Sequence, residues 1–334
     1  MELSLLLILP DKKNQNVIAI KANNSYKFPK YENPVGENVA FDDAQLFNDF
    51  FQTLTGISVF RRYSFNTDNY VVFVFELADD INNVPSNDYN WVSYDDFLRE
   101  QQNLEIKNIV NSVNRYYNKS VNMPWVNADG FTPYFIWLHE VCAAKNIKVK
   151  NNITQIKNAY VSNVFCIPTE TENLYMKIPG KVFITELPFT NAIKQIGMAD
   201  YPVWIDFNAD MNVFLMKDMG GMDLPPQSDL DTLKKVLVRL AQTQKNSIQY
   251  LPLDCEHNDY RVKTILANLH GFPQKVYDVL QETKYKITYD EKLKLEQNIN
   301  SAIKLLDFIN YNPIPDVIQN GDVRPGNIRV IDKV

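Results

Sequence analysis

Val317-Ile318-Gln319-Asn320-Gly321-Asp322-Val323-Arg324-Pro325-Gly326-Asn327-Ile328-Arg329-Val330-Ile331 closes a chain of 334 residues, three short of its last. An apolar run enters a loop, and a second apolar run leaves it. Between them stand one Asp and, five positions on (327 − 322), one Asn. Gly321 and Pro325-Gly326 let a tight loop turn both side chains to one side. A carboxylate placed so can accept a proton, and an amide oxygen beside it can hold a hard cation. The same spacing also fits a Gly/Pro hairpin loop with two solvated polar residues, and alone it does not separate the two readings.

Phosphoryl-transfer enzymes of the kinase type use this layout, the Asp taking the proton of the attacking hydroxyl and the Asn holding Mg²⁺ on the nucleotide. Gly321-Asp322-Val323-Arg324-Pro325-Gly326-Asn327-Ile328 resembles the catalytic loop of the aminoglycoside phosphotransferase family, H-G-D-x-H-x-x-N. The resemblance implies Asp322 as catalytic base and Asn327 as Mg²⁺ ligand. The family's two His positions are Asn320 and Arg324 here. Asn can imitate part of the bracing hydrogen bonding of the first His, and neither change removes the base.

Composition narrows the classes. Hydrophobic content of 45% and charged content of 22% are ordinary for a globular chain with room for two or three domains. A net charge of −6 argues against a nucleic-acid partner. Cys142, Cys166 and Cys255 are separated and odd in number, which suggests reduced, buried thiols. His139, His257 and His270 are too scattered for a zinc site. The chain contains neither G-x-G-x-x-G nor a Walker A sequence. Leu3–Leu9 lacks the basic leader and small-residue cleavage site of a signal peptide and reads as a buried strand. No stretch reaches the roughly 18 apolar residues of a membrane span, so a cytoplasmic protein without a membrane partner is expected.

Residues 1–118 read as strand (Leu3–Leu9), strand (Asn16–Ala22), long loop, helix (Asp42–Thr55), strand from Ile57, strong strand (Val71–Leu77), and a helix starting in Trp91–Leu98. Leu46, Phe47, Phe50, Phe51 and Leu54 mark one face of the first helix. This order resembles a Nudix domain, with Pro34-Val35-Gly36-Glu37 at the family's Pro-Gly-Gly turn and Thr55-Gly56-Ile57 at the end of its metal-binding helix. The family's Glu positions are Phe50, Thr53 and Leu54 here, and its Arg is Asp49. These side chains offer no carboxylate oxygens to Mg²⁺, so the resemblance implies a scaffold without hydrolysis.

Residues 119–160 form a connection in which Pro124-Trp125 and Asp129-Gly130-Phe131, with Trp137, resemble a stretch that precedes the small lobe in the phosphotransferase family. Trp125 and Trp137 are read as packing residues. Over 161–225, strands at Val161–Ile167 and Asn173–Ile178 form a hairpin that carries Lys177. Glu186 follows nine residues on (186 − 177), at the head of a helix. Lys177 and Glu186 match the family's phosphate-binding Lys and the Glu that holds it. Val213–Gly221 resembles the family's hinge, which implies that backbone groups of Met216, Lys217 and Asp218 meet the adenine edge.

Residues 226–334 carry helices expected at Asp229–Ser247, Asp259–His270, Phe272–Lys284 and Tyr289–Asn310, and then the opening loop. Asp332 lies five residues past Asn327, whereas the family's second metal-binding Asp comes about a dozen residues past it. A piece of a longer chain is therefore expected.

The expected fold is α+β: a Nudix-like α/β/α domain, then a kinase-like two-lobed domain truncated in its large lobe. The resemblance implies an ATP- and Mg²⁺-dependent phosphotransferase acting on a hydroxyl of a small molecule. The alternative is a nucleotide-binding or protein-interaction module without catalysis.

Overall fold

The computed structural model describes residues 4–8, 16–22, 25–28, 30–31, 44–55, 57–67, 70–78, 89–116, 123–126, 130–150, 152–159, 161–181, 202–248, 261–283, 285–311, 317 and 327–331. They belong to two units, one of residues 1–187 with 202–219 and one of residues 188–201 with 220–334.

In the first unit, β1 (Ser4–Ile8), β4 (Lys30–Tyr31), β5 (Val59–Asn66) and β6 (Tyr70–Leu77) form a sheet in the order β4-β1-β6-β5. β1 runs parallel to β6, and the other pairs are antiparallel. β2 (Asn16–Ala22), β3 (Ser25–Lys27) and β7 (Tyr89–Ser93) form a second, antiparallel sheet. The apolar run of β6 has its cause in burial on both faces. Val71, Phe73 and Phe75 share a cluster with Phe47 and Phe51 of α1 (Ala44–Thr55), while Val72 and Val74 share another with Phe97 of α2 (Tyr94–Glu100) and Ile109, Val110 and Val113 of α3 (Leu104–Tyr116). Phe47 lies 4.5 Å from Phe73 between ring centroids, and Phe51 meets Phe75 edge-on at 4.9 Å. Each buried side chain of this size contributes on the order of 2 kcal/mol.

The helix expected from Trp91 begins later. Tyr89–Ser93 pairs with β2 as a strand, and Ser93 then caps α2 by accepting from the Asp96 amide at 3.1 Å. The Ser- and Asp-rich cap is present, but the aromatic residues before it satisfy a sheet edge.

The second cluster continues without a break through Trp125, Phe131, and Trp137, Leu138 and Val141 of α4 (Thr132–Ala144) into a five-stranded antiparallel sheet. That sheet runs β11-β12-β10-β9-β8, from β8 (Thr154–Ala159), β9 (Ser162–Pro168), β10 (Asn173–Pro179), β11 (Trp204–Asn208) and β12 (Val213–Lys217). The first unit thus spans residues of three expected segments. Trp125 and Trp137 are buried, as packing residues should be, and burial pushes the Tyr134 hydroxyl up to about 12.

In the second unit α5 (Leu230–Ser247) is capped by Asp229, whose carboxylate accepts from the Thr232 amide at 2.7 Å and is held below its usual range by that bond. Helices α6 (Val262–Leu269), α7 (Phe272–Gln281) and α8 (Tyr289–Tyr311) follow. Thr288 and Glu291 form a reciprocal capping box for α8: the Thr288 hydroxyl accepts from the Glu291 amide at 3.2 Å, and the Glu291 carboxylate accepts from the Thr288 amide at 2.7 Å. β13 (Met222–Asp223) pairs antiparallel with β14 (Arg329–Val330). Among the described residues no helix is long and apolar enough to cross a membrane.

Candidate functional site

Strand alternation sets the position of Lys177. Leu174, Met176 and Ile178 of β10 are buried in the core against α4, so Tyr175 and Lys177 take the other face. Register brings their neighbours to that face. Lys177 lies opposite Val164 and Phe214, and Tyr175 lies opposite Cys166 and Met216. The Lys177 ammonium sits 5.7 Å from the centroid of the Phe214 ring, a cation–π distance, and Trp204 covers that ring at 4.2 Å. Because β10 is the central strand and β12 its direct neighbour, Lys177 stands beside the strand that runs into Met216, Lys217 and Asp218.

Those three residues are partly committed. The Lys217 amide donates to the Val203 carbonyl at 2.9 Å and the Asp218 amide to the Asn173 carbonyl at 3.2 Å. The Lys217 ammonium pairs with Glu172 at 2.8 Å, both exposed, a contact worth well under 1 kcal/mol. The backbone amides at 217 and 218 are therefore used within the sheet. The Tyr175 hydroxyl lies 3.5 Å from the Asp218 carboxylate. Burial pushes the Cys166 thiol above its ordinary range; its bond with Tyr175 opposes the rise, and the Asp218 charge adds to it. Tyr175, Cys166 and Phe214 were missed as members of this face. The two-residue repeat around Lys177 is the signal that places Tyr175 there.

Asn327 is exposed and leads into β14. The Leu224 amide donates to the Ile328 carbonyl at 2.8 Å, and Arg329 pairs with Asp223 at 3.2 Å. Gly221 makes this pairing possible. Its φ is +71°, and a β-carbon there would run into the Val330 carbonyl. The glycine reads in the sequence as a turn residue, and its second duty is to let the strand after Asn327 approach. Gly221→Ala is expected to open the β13–β14 pair at a cost of roughly 1–3 kcal/mol, from backbone strain alone. Hydrogen exchange at the Leu224 amide checks it, with rapid exchange expected and wild-type protection contradicting it. Glu186 and Asp322 lie outside the described residues.

In the N-terminal part, Phe50 packs against the cluster of Phe47 and Phe51, and the Thr53 hydroxyl donates to the Asp49 carbonyl at 2.8 Å. Phe50 and Thr53 are thus engaged in packing and local bonding. Among the described residues no three His, Cys, Asp or Glu gather as metal ligands.

No protein-family model and no curated protein sequence matches the chain. Solved structures resemble it distantly. A spectinomycin phosphotransferase, APH(9)-Ia, in complex with ADP and spectinomycin, is 12% identical with a TM-score of 0.32, covering 59% of this chain and 65% of its own. A Chromobacterium violaceum protein described as a nudix hydrolase family member is 14% identical with a TM-score of 0.29, over 43% of this chain and 96% of its own. The Escherichia coli ORF135 protein is 9% identical with a TM-score of 0.26, over 35% of this chain and 93% of its own. The chain spans just under two thirds of the phosphotransferase's length. Likenesses this distant assign no residue, and the chain's own residues carry the reading that follows.

Proposed function

We propose that the chain belongs to an ATP-dependent phosphotransferase acting on a hydroxyl of a small molecule. Residues 1–118 serve as a Nudix-like scaffold without hydrolysis, 119–160 as the connection, 161–225 as the small lobe and 226–334 as part of the large lobe. The observation that carries the reading is the sheet order: Lys177 occupies the central strand beside the strand that leads into Met216–Asp218. Kinase-type sites need a Lys next to the segment that takes the adenine.

The roles follow from residue chemistry. Lys177 pairs with the α- and β-phosphates, and Glu186 orients it. Met216, Lys217 and Asp218 present backbone groups to the adenine edge. Asn327, exposed before β14, offers a hard amide oxygen to Mg²⁺, and Asp322 supplies the second function of that loop by taking the acceptor's proton. ATP, when bound, supplies the phosphoryl group. The residues present suit such a ligand in one respect: an ammonium stands against an aromatic ring on one sheet face.

Lys177→Ala is expected to weaken ATP binding about 10- to 100-fold, the worth of one charge-assisted contact. Lys177→Arg should restore part of it. Equal affinity for ATP in wild type and Lys177→Ala would overturn the assignment. The second reading is a nucleotide-binding or protein-interaction module without catalysis, favoured by Asn320 at the position of the family's His. Turnover by the whole protein separates the two.

A further inference from the structure

The two larger sheets of the first unit meet at their edges. β5 ends the four-stranded sheet and β8 ends the five-stranded one. Each is bulged where they meet, between Arg61 and Tyr63 in β5 and between Gln155 and Lys157 in β8. A bulge interrupts the ladder and leaves backbone groups to be satisfied elsewhere.

Side-chain amides satisfy them. The Gln155 side chain accepts from the Arg61 amide at 2.7 Å and donates to the Arg61 carbonyl at 2.9 Å, which reproduces the two-bond exchange of an antiparallel partner. Asn158 donates to the Arg61 and Arg62 carbonyls and accepts from the Arg61 guanidinium at 3.1 Å. Asn163 closes the network, its side-chain oxygen accepting from both Gln155 and Asn158 at 2.7 Å. All five residues are buried. Asn163 lies on β9, opposite Ile178 and next to the Val164–Lys177 pair. Beside the network, Phe60 of β5 meets Phe165 of β9 at 5.1 Å.

We infer that this joint fuses the N-terminal sheet and the Lys177 sheet into one cooperatively folding body, so that the N-terminal half is a fixed buttress of the Lys177 strand and not a separately moving domain. Opening the joint would exchange these bonds for bonds to water and expose the Phe60–Phe165 contact, whereas removing one amide while the joint stays shut would leave buried groups of Arg61 without a partner. The inference stands whether or not the chain transfers phosphate.

Native-state hydrogen exchange on the full chain tests it. Amides of β5–β6 and of β9–β10 should open together, with one denaturant dependence. Gln155→Leu, which keeps the length but not the bonds, should lower protection in both sets by a similar factor, about 10- to 100-fold. Lys148→Ala, which removes only an exposed pair with Glu170, should change neither. Opening of β9–β10 under conditions that leave β5–β6 protected, in wild type, would overturn the inference. So would loss confined to one sheet in Gln155→Leu. If that variant does not fold, the wild-type measurement decides alone.

Discussion

Glu76→Ala is expected to destabilise the first unit by about 3–5 kcal/mol, the typical cost of removing one partner from a buried ion pair. The Arg62 side chain is 1% exposed and its Nε lies 3.2 Å from the Glu76 carboxylate, itself 17% exposed. The same Nε donates to the Trp125 carbonyl at 3.0 Å. The Glu76 oxygens also accept from the Phe131 amide at 3.0 and 3.2 Å. One carboxylate therefore ties β6 to β5 and to the start of α4. Gly130, at φ +52°, leaves the space: a β-carbon there would run into the Glu76 carboxylate. For a unit of this size the melting temperature should fall by roughly 10 °C. Glu76→Gln keeps an acceptor for the Phe131 amide but not the charge, and should fall by less. Thermal unfolding followed by circular dichroism measures both. A Glu76→Ala protein that melts with wild type would contradict the pairing.

Asp322→Ala is expected to lower phosphoryl transfer by about 10²- to 10⁴-fold while leaving ATP affinity nearly unchanged, because a general base acts on the acceptor hydroxyl and not on the nucleotide. The readout is turnover of ATP with hydroxyl-bearing acceptors by the full-length protein, set beside ATP affinity of the same variant. Unchanged turnover would remove Asp322 from the chemistry. A parallel loss of ATP affinity would instead mark the loop as structural.

Most of the elements could be read from local signals. The period of Phe47 and Phe51 marks α1, and the apolar run of Val71–Phe75 marks a strand buried on both faces. The hairpin that carries Lys177 lies where alternation puts it. What could not be read depends on partners far along the chain. Gln155 and Asn158 are polar residues that look like loop, and β8 went unrecognised for that reason. Their partner Arg61 is 94 residues away from Gln155, and only the folded chain explains why amides sit in a strand. Gly221 shows the same limit, since the carbonyl that requires it belongs to Val330. The pairing of Trp91 with Ile18, which makes the residues before α2 a strand, is likewise not a local property.

The candidate site divides in the same way. Lys177 and the Met216–Asp218 segment are adjacent through strand order, which a hairpin followed by two further strands suggests without fixing. That the amides at 217 and 218 are already bonded follows from the ends of β10 and β11, and no motif carries that information.

Calorimetric titration of the 334-residue protein with ATP, with and without Mg²⁺, tests the proposed nucleotide site most directly. Binding that strengthens with Mg²⁺ is the predicted result. No heat of binding at millimolar ATP in either condition would contradict it.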